Sequence, residues 1–300
     1  MRLTIRKDLL KKIMIYICSL VLFIYCVGPL FLTLLGGIIP DKALLSVPPK
    51  WFSISPTLDF YKYIFFGEIP ESYEVRGALR GMISQEVRQV PIAMRNSIII
   101  GLFVMGINIV FGSMAAYAFS RIRFKGKKAT FIIIIMCRLL PAATLVVPFY
   151  LIIQSFGLLN TILSVVMVHS IFTLPFTVLI LTIFFRKIPV SIEESATIDG
   201  AGPFKILTKI YLPLSAGSVM ATGLFSFMLS YSEYMYSLIL TGTESTRTVP
   251  VVMAALSTNP DVAWGMLMAS VFITLVPTLV LVILIWRFVV EGILFGGSKY

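Results

Sequence analysis

The sequence predicts an all-α membrane protein, a bundle of six transmembrane helices with one short cytoplasmic helix between the fourth and fifth. Three observations carry that expectation. Only 13% of the 300 residues are charged and 58% are apolar, with a mean hydropathy of +0.96; a soluble chain carries about 25% charged residues to keep its surface wet. Several uncharged runs exceed the roughly 18 residues that mark a bilayer crossing. Lys and Arg gather in short loops beside those runs, as positive-inside anchoring requires. That clustering accounts for the formal net charge of +11 and removes nucleic acid from the expected partners. The lipid bilayer is the first partner.

A basic head, residues 1–12, carries Arg2, Arg6, Lys7, Lys11 and Lys12 ahead of the first span, 13–38. That run is too long for a signal-peptide core and no small-residue cleavage pattern follows it, so it reads as a retained span. A long outer loop fills 39–96. A five-span core, 97–290, follows, with spans expected over Ser97–Phe119, Ala129–Ile153, Thr161–Phe185, Leu214–Leu240 and Gly265–Val290. Each can cross roughly 30 Å of hydrocarbon at 1.5 Å per residue. Pro29, Pro141, Pro148, Pro175 and Pro277 fall inside spans and are expected to kink them. The tail is 291–300. With both termini cytoplasmic, inside segments hold 16 Lys and Arg and outside segments eight, seven of them in the long loop. Charge on a long loop bears weakly on topology, so the short loops decide: N-in and C-in.

The long loop divides. Pro48–Phe66 is proline- and aromatic-rich and reads as an extended segment over the membrane face. Val75, Leu79, Met82, Ile83, Val87 and Val90 then recur at helical spacing among charges, as in an amphipathic helix at the interface or a lid on the span ends. Cys18, Cys26 and Cys137 lie inside apolar runs with neither metal nor disulfide spacing.

The cytoplasmic segment 186–213 has unusual content. Pro189 breaks the preceding helix. Ser191 and Glu194 stand in S-x-x-E capping spacing, which predicts a helix from Ile192 with Glu193 and Glu194 in its first turn, where the dipole favours acids. Gly200 and Gly202 can stop it, and Pro203 suits the first position of a second helix running to Leu212-Pro213. Small Ser195 and Ala196 leave a face open to another backbone, and Ile192, Ala196 and Asp199 share one side. Two readings stand together: a rigid docking knob, or a capped connector.

Glu194-Ser195-Ala196, Gly200 three residues on, and Ile210-Tyr211-Leu212-Pro213 nine further resemble the EAA loop of permeases in ATP-binding-cassette importers, whose usual form is E-A-A, three residues, G, nine residues, I-x-L-P. Ser195 for the first alanine is the single departure within the motif. Asp199-Gly200-Ala201, Asn96-Ser97, Ala116 to Arg121, Phe124 to Lys127, Leu159-Asn160-Thr161 and Gly292 to Lys299 look like the maltose-type, carbohydrate branch. An insertion near Gly67–Pro91 and the ending Ser298-Lys299-Tyr300 depart from it. The resemblance implies a coupling helix docked on a cytoplasmic ATPase, with Glu193, Glu194, Ser195, Ala196, Asp199, Gly200, Ala201, Ile210, Leu212 and Pro213 as its functional residues. It also implies two ATPase subunits that bind ATP and Mg, a homologous second permease, an extracytoplasmic solute-binding protein meeting the outer loops, and a carbohydrate substrate.

The chain itself offers no cofactor site in sequence. Gly126-Lys127-Lys128 lacks both the upstream glycine and the hydroxyl residue of a P-loop, and no His, Cys or carboxylate cluster has ligand or nucleophile spacing. The rival class is an ion-coupled secondary transporter, which places ionisable groups inside its spans. Arg138, His169 and Glu233 qualify. Glu233 with Tyr231 and Tyr234 suits sugar binding by hydrogen bonding and stacking, or equally an interfacial aromatic belt with one snorkelling acid.

Overall fold

The computed structural model describes residues 2–51, 56–68, 85–259 and 262–295, and every regular element among them is helical. The predicted amphipathic stretch falls largely on 69–84, and the last five residues of the tail on 296–300; both lie outside the described residues. The helices are α1 (Arg2–Gly36), α2 (Asp41–Leu44), α3 (Asp59–Phe66), α4 (Val90–Arg121), α5 (Lys127–Met136), α6 (Ala142–Ser155) and α7 (Ile162–Lys187). They continue with α8 (Val190–Ile198), α9 (Pro203–Ile206), α10 (Leu212–Leu214), α11 (Ala216–Tyr231), α12 (Met235–Leu240), α13 (Val249–Thr258) and α14 (Trp264–Phe295).

Among the described residues, four helices are long and apolar enough to cross a membrane: Lys11–Gly36, Glu86–Arg121, Ile162–Lys187 and Trp264–Trp286. Two further pairs pass the same test but bend, by 99° between α5 and α6 and by 86° between Pro203–Leu214 and α11, and counting each pair as one crossing gives six. The kink expected at Pro141 is present, and it is sharp enough to form a corner. Proline has no N–H and drives the residue before it out of the helical region; Leu140 is extended, at φ −66° and ψ 130°.

Three other expectations need correction. The α-helix of span two starts at Val90, ahead of the expected Ser97, with Pro91 in the first turn where its missing N–H costs nothing. Asp59–Phe66, expected to be extended, is helical because Phe60, Tyr63 and Ile64 fall on one buried face. The uninterrupted fifth span, expected over Leu214–Leu240, is broken at Ser232–Tyr234 into α11 and α12.

The chain divides into two compact units, 1–88 with 255–275 and 89–254 with 276–300. Within the first, the end of α1 meets α14 so closely that a Cβ on Gly36 would sit 1.9 Å from Met268 Sδ. Asp41 Oδ1 accepts the Gly265 amide at 2.8 Å, satisfying one orphan donor at the head of α14.

Within the second unit, α4, α7 and α11 pack along one another. Small residues allow it, since a Cβ on Gly112 would meet Thr177 Cγ2 at 2.5 Å and one on Gly101 the Phe227 ring at 2.6 Å. Buried polar pairs pin the contacts: Asn108 Nδ2 donates to Thr173 Oγ1 at 2.6 Å and the Thr177 and Ser226 hydroxyls meet at 3.0 Å. At the far end from the 186–213 segment, Asn96 Nδ2 donates to the Ser245 and Arg247 carbonyls, and the Val249 amide donates to Ser97 Oγ. Thr161 caps α7 by accepting the Ser164 amide, while Asn160 exchanges backbone and side-chain bonds with Leu240 and Gly242.

Candidate functional site

The segment joining α7 to α11 is built from local rules. Pro189, at φ −57° and ψ 135°, ends the α7 exit and heads α8, which begins at Val190. The helix thus starts two residues before Ile192, and Ser191 lies inside it rather than capping it; its carbonyl accepts the Ser195 hydroxyl at 2.9 Å. The stop lies where Gly200 is. Its φ of +77° is the left-handed value that a C′ glycine takes without a Cβ clash. The Gly200 amide reaches Thr197 O at 3.0 Å and the Ala201 amide reaches Ala196 O at 2.9 Å, the paired bonds of a Schellman ending. Pro203 then opens α9 at its first position. The following turn, Leu207–Tyr211, widens to π geometry just ahead of Pro213, which has no N–H to continue a regular ladder.

Packing gives α8 two faces. Ile192, Ala196, Ala201, Ile210 and Leu212 rest on a buried cluster of Ala116, Tyr117, Leu181, Phe185, Ile206, Leu207 and Tyr211, among others. Ala196 is thus turned toward the bundle rather than open to a partner, while Asp199, just past the end of α8, is exposed. Glu194, Ser195, Thr197 and Asp199 face outward, with Ile198 86% exposed and Phe204 69% exposed. Both are large apolar side chains on one small projection, largely uncovered by the rest of the chain.

Glu193 points the other way. Tyr117 donates its hydroxyl to Oε1 at 2.8 Å, Tyr211 donates to Oε2 at 2.7 Å, and Arg121 Nε stands 3.6 Å from Oε2. Arg121 also donates through Nη2 to the carbonyls of Phe185 and Ile188, the last acceptors of α7. The Tyr117 and Tyr211 rings meet edge-on at 5.0 Å. Beside this node an open cleft is lined by Arg121, Arg123, Lys127, Glu193, Glu194 and Ile198, with three other residues. The sequence reading missed the roles of Tyr117, Arg121, Tyr211, Ile198 and Phe204. Tyr117 and Arg121 stand in the run that closes span two, but nothing in sequence pairs them with a carboxylate more than 70 residues away.

The second candidate group divides on inspection. Glu233 occupies the break between α11 and α12. Its Oε1 accepts the Tyr236 amide at 2.9 Å and its Oε2 accepts the Ser237 amide at 3.1 Å, so it satisfies the head of α12. His169 Nε2 lies 2.9 Å from Oε2, and His169 Nδ1 lies 2.8 Å from Ser230 Oγ. A cavity of about 190 Å³ adjoins them, lined by Arg138, His169, Phe172, Glu233 and Tyr236 among nine residues. Phe172 and Tyr236 stack at 4.6 Å, and Arg138 Nη1 donates to Phe172 O of α7 at 3.2 Å. Tyr231 is buried against Phe227 and Tyr234 is 43% exposed; neither lines the cavity.

Residues 108–291, more than half of the chain, match the family described as binding-protein-dependent transport system inner membrane component. The chain belongs to that family. The permease is 30% identical over 295 residues to the trehalose/maltose transport system permease protein MalG of Thermococcus litoralis, covering 98% of this chain and 99% of that one. It is 24% identical over 294 residues to the diacetylchitobiose uptake system permease protein DasC of Streptomyces coelicolor, covering 98% and 99%. Its fold matches a chain in the crystal structure of a bacterial ABC transporter involved in the import of the acidic polysaccharide alginate, with a TM-score of 0.75 and 18% identity over 95% of this chain and 98% of that one. The protein is therefore a multi-pass membrane permease of the binding-protein-dependent class, not an ion-coupled secondary transporter.

Proposed function

We propose that this permease is one of two unlike membrane subunits of an ATP-driven carbohydrate importer, with α8 as its coupling helix. Two cytoplasmic ATPase subunits bind and hydrolyse ATP with Mg, and α8 docks on one of them. A solute-binding protein delivers the sugar on the opposite face, against the outer loop 39–96 and the segment Gly242–Trp264. Both chain termini lie in the cytoplasm. The relatives named for trehalose/maltose and diacetylchitobiose support a carbohydrate substrate.

The observation that carries the reading is the outward face of α8. A short helix with a sharp glycine stop presents Ile198, Glu194 and Asp199 from a firmly packed base, and Phe204 at the head of α9 stands exposed just beyond the stop. That combination suits docking because covering two exposed apolar side chains stabilises association, while flanking acids set orientation. Closure of the ATPase pair then moves α8 as a rigid lever, switching the bundle between inward- and outward-open arrangements.

The test is ATP-dependent solute uptake in vesicles carrying the whole complex, with ATPase copurification followed in parallel. Glu194→Ala and a combined Ile198→Ser, Phe204→Ser variant should insert normally yet lose uptake and release the ATPase. Uptake that persists without any ATPase subunit would reduce α8 to a connector.

A further inference from the structure

Apolar contact alone orients α8 poorly. Ile192 and Ala196 rest on the buried cluster below, but burial of apolar area is non-directional and tolerates sliding or rotation. The directional contacts converge on Glu193. Its carboxylate accepts hydroxyls from α4, through Tyr117, and from the turn leading to α10, through Tyr211. It also faces Arg121 of α4, whose guanidinium binds the end of α7. One side chain, 19% exposed beside an arginine that is 10% exposed, thus ties α8 to two other elements of the second unit directly and to α7 through Arg121. Charge-assisted bonds of this kind are shorter and about twice as strong as neutral ones. The adjacent Glu194 has the opposite exposure, on the outer face.

We propose that Glu193 is the positioning residue through which movement of α8 reaches the membrane helices, a role that rests on the importer reading and assigns the two adjacent glutamates different tasks. Glu194 belongs to the face offered to the ATPase. Glu193 holds that face in fixed register with α4 and α7, so displacement of the knob becomes displacement of the spans instead of rotation of α8 on its apolar seat. Removing the carboxylate leaves the ATPase docked and active but slackens the link.

The experiment measures solute moved per ATP hydrolysed by the complete complex, with its binding protein, in proteoliposomes. Glu193→Ala should assemble and hydrolyse ATP while the transport-to-hydrolysis ratio falls about tenfold, the scale of an ordinary coupling free energy. Glu193→Gln, which keeps an acceptor for one tyrosine, should fall in between. A Tyr117→Phe, Tyr211→Phe double variant with Glu193 intact should reproduce the loss, and it decides the matter if Glu193→Ala does not assemble. Hydrolysis and transport falling in parallel, or an unchanged ratio, would overturn the assignment. A wild-type complex with no ATP-driven uptake at all would instead overturn the importer reading beneath it.

Discussion

Two glutamates in this permease, one on a short helix and one in a helix break, solve different problems. Glu193 lies on α8 and spends its carboxylate on side chains from elsewhere, Tyr117, Tyr211 and Arg121. Glu233 lies in the gap between α11 and α12 and spends most of its carboxylate on the amides of Tyr236 and Ser237, with His169 as its link to α7. The first makes several elements move together. The second holds a broken span in one arrangement, replacing hydrogen bonds that an unbroken helix would supply. An acid beside an exposed lever serves transmission, and an acid inside a break serves local satisfaction.

Removing each glutamate separates the two roles. Glu233→Ala leaves two amides and a buried imidazole without their acceptor, and should destabilise the permease by about 3 kcal/mol; thermal unfolding of the purified complex measures it. Glu233→Gln should recover part of that loss. A Glu233→Ala protein as stable as wild type would break the comparison, because the carboxylate would then be free for another task.

Gly200→Ala sharpens the comparison on the α8 side. Nothing lies within 4 Å of where its Cβ would be, so the cost is the left-handed backbone alone, about 1–2 kcal/mol. The same melting experiment should show a modest shift, accompanied by weaker ATPase copurification as the knob loses its sharp end. Unaltered copurification would mean that the stop does not set the docking face.

Ile198→Ser should leave melting unchanged within about 0.5 kcal/mol, since the side chain is exposed. Copurification of the ATPase should nevertheless drop. Loss of stability without loss of the partner would place Ile198 in the packing of the permease instead.

Much of this arrangement was legible in sequence, and the limits have physical causes. Hydropathy located the four long apolar helices and the two bent pairs because lipid imposes length and apolarity on each residue run independently of its neighbours. The α8 ending was readable because Gly200 and Pro203 act on their own backbone. The break at Ser232–Tyr234 was not, as no proline or glycine marks it and the lone carboxylate of Glu233 fits an interfacial belt equally well. Ser191 misled because its capping spacing is real, but Pro189 sets the helix start two residues earlier. The facing of Ala196, Ile198 and Glu193 depended on how α8 seats against α4 and α7, a tertiary fact that helical periodicity alone leaves open.

The most direct test is cysteine crosslinking from Ile198→Cys in the assembled complex, in a background where Cys18, Cys26 and Cys137 are replaced because all three are exposed on this chain. The account predicts a crosslink to the ATPase subunit that ATP binding or hydrolysis modulates. A crosslink to the solute-binding protein, or none to the ATPase in a complex that imports solute with ATP, would contradict α8 as the cytoplasmic coupling helix.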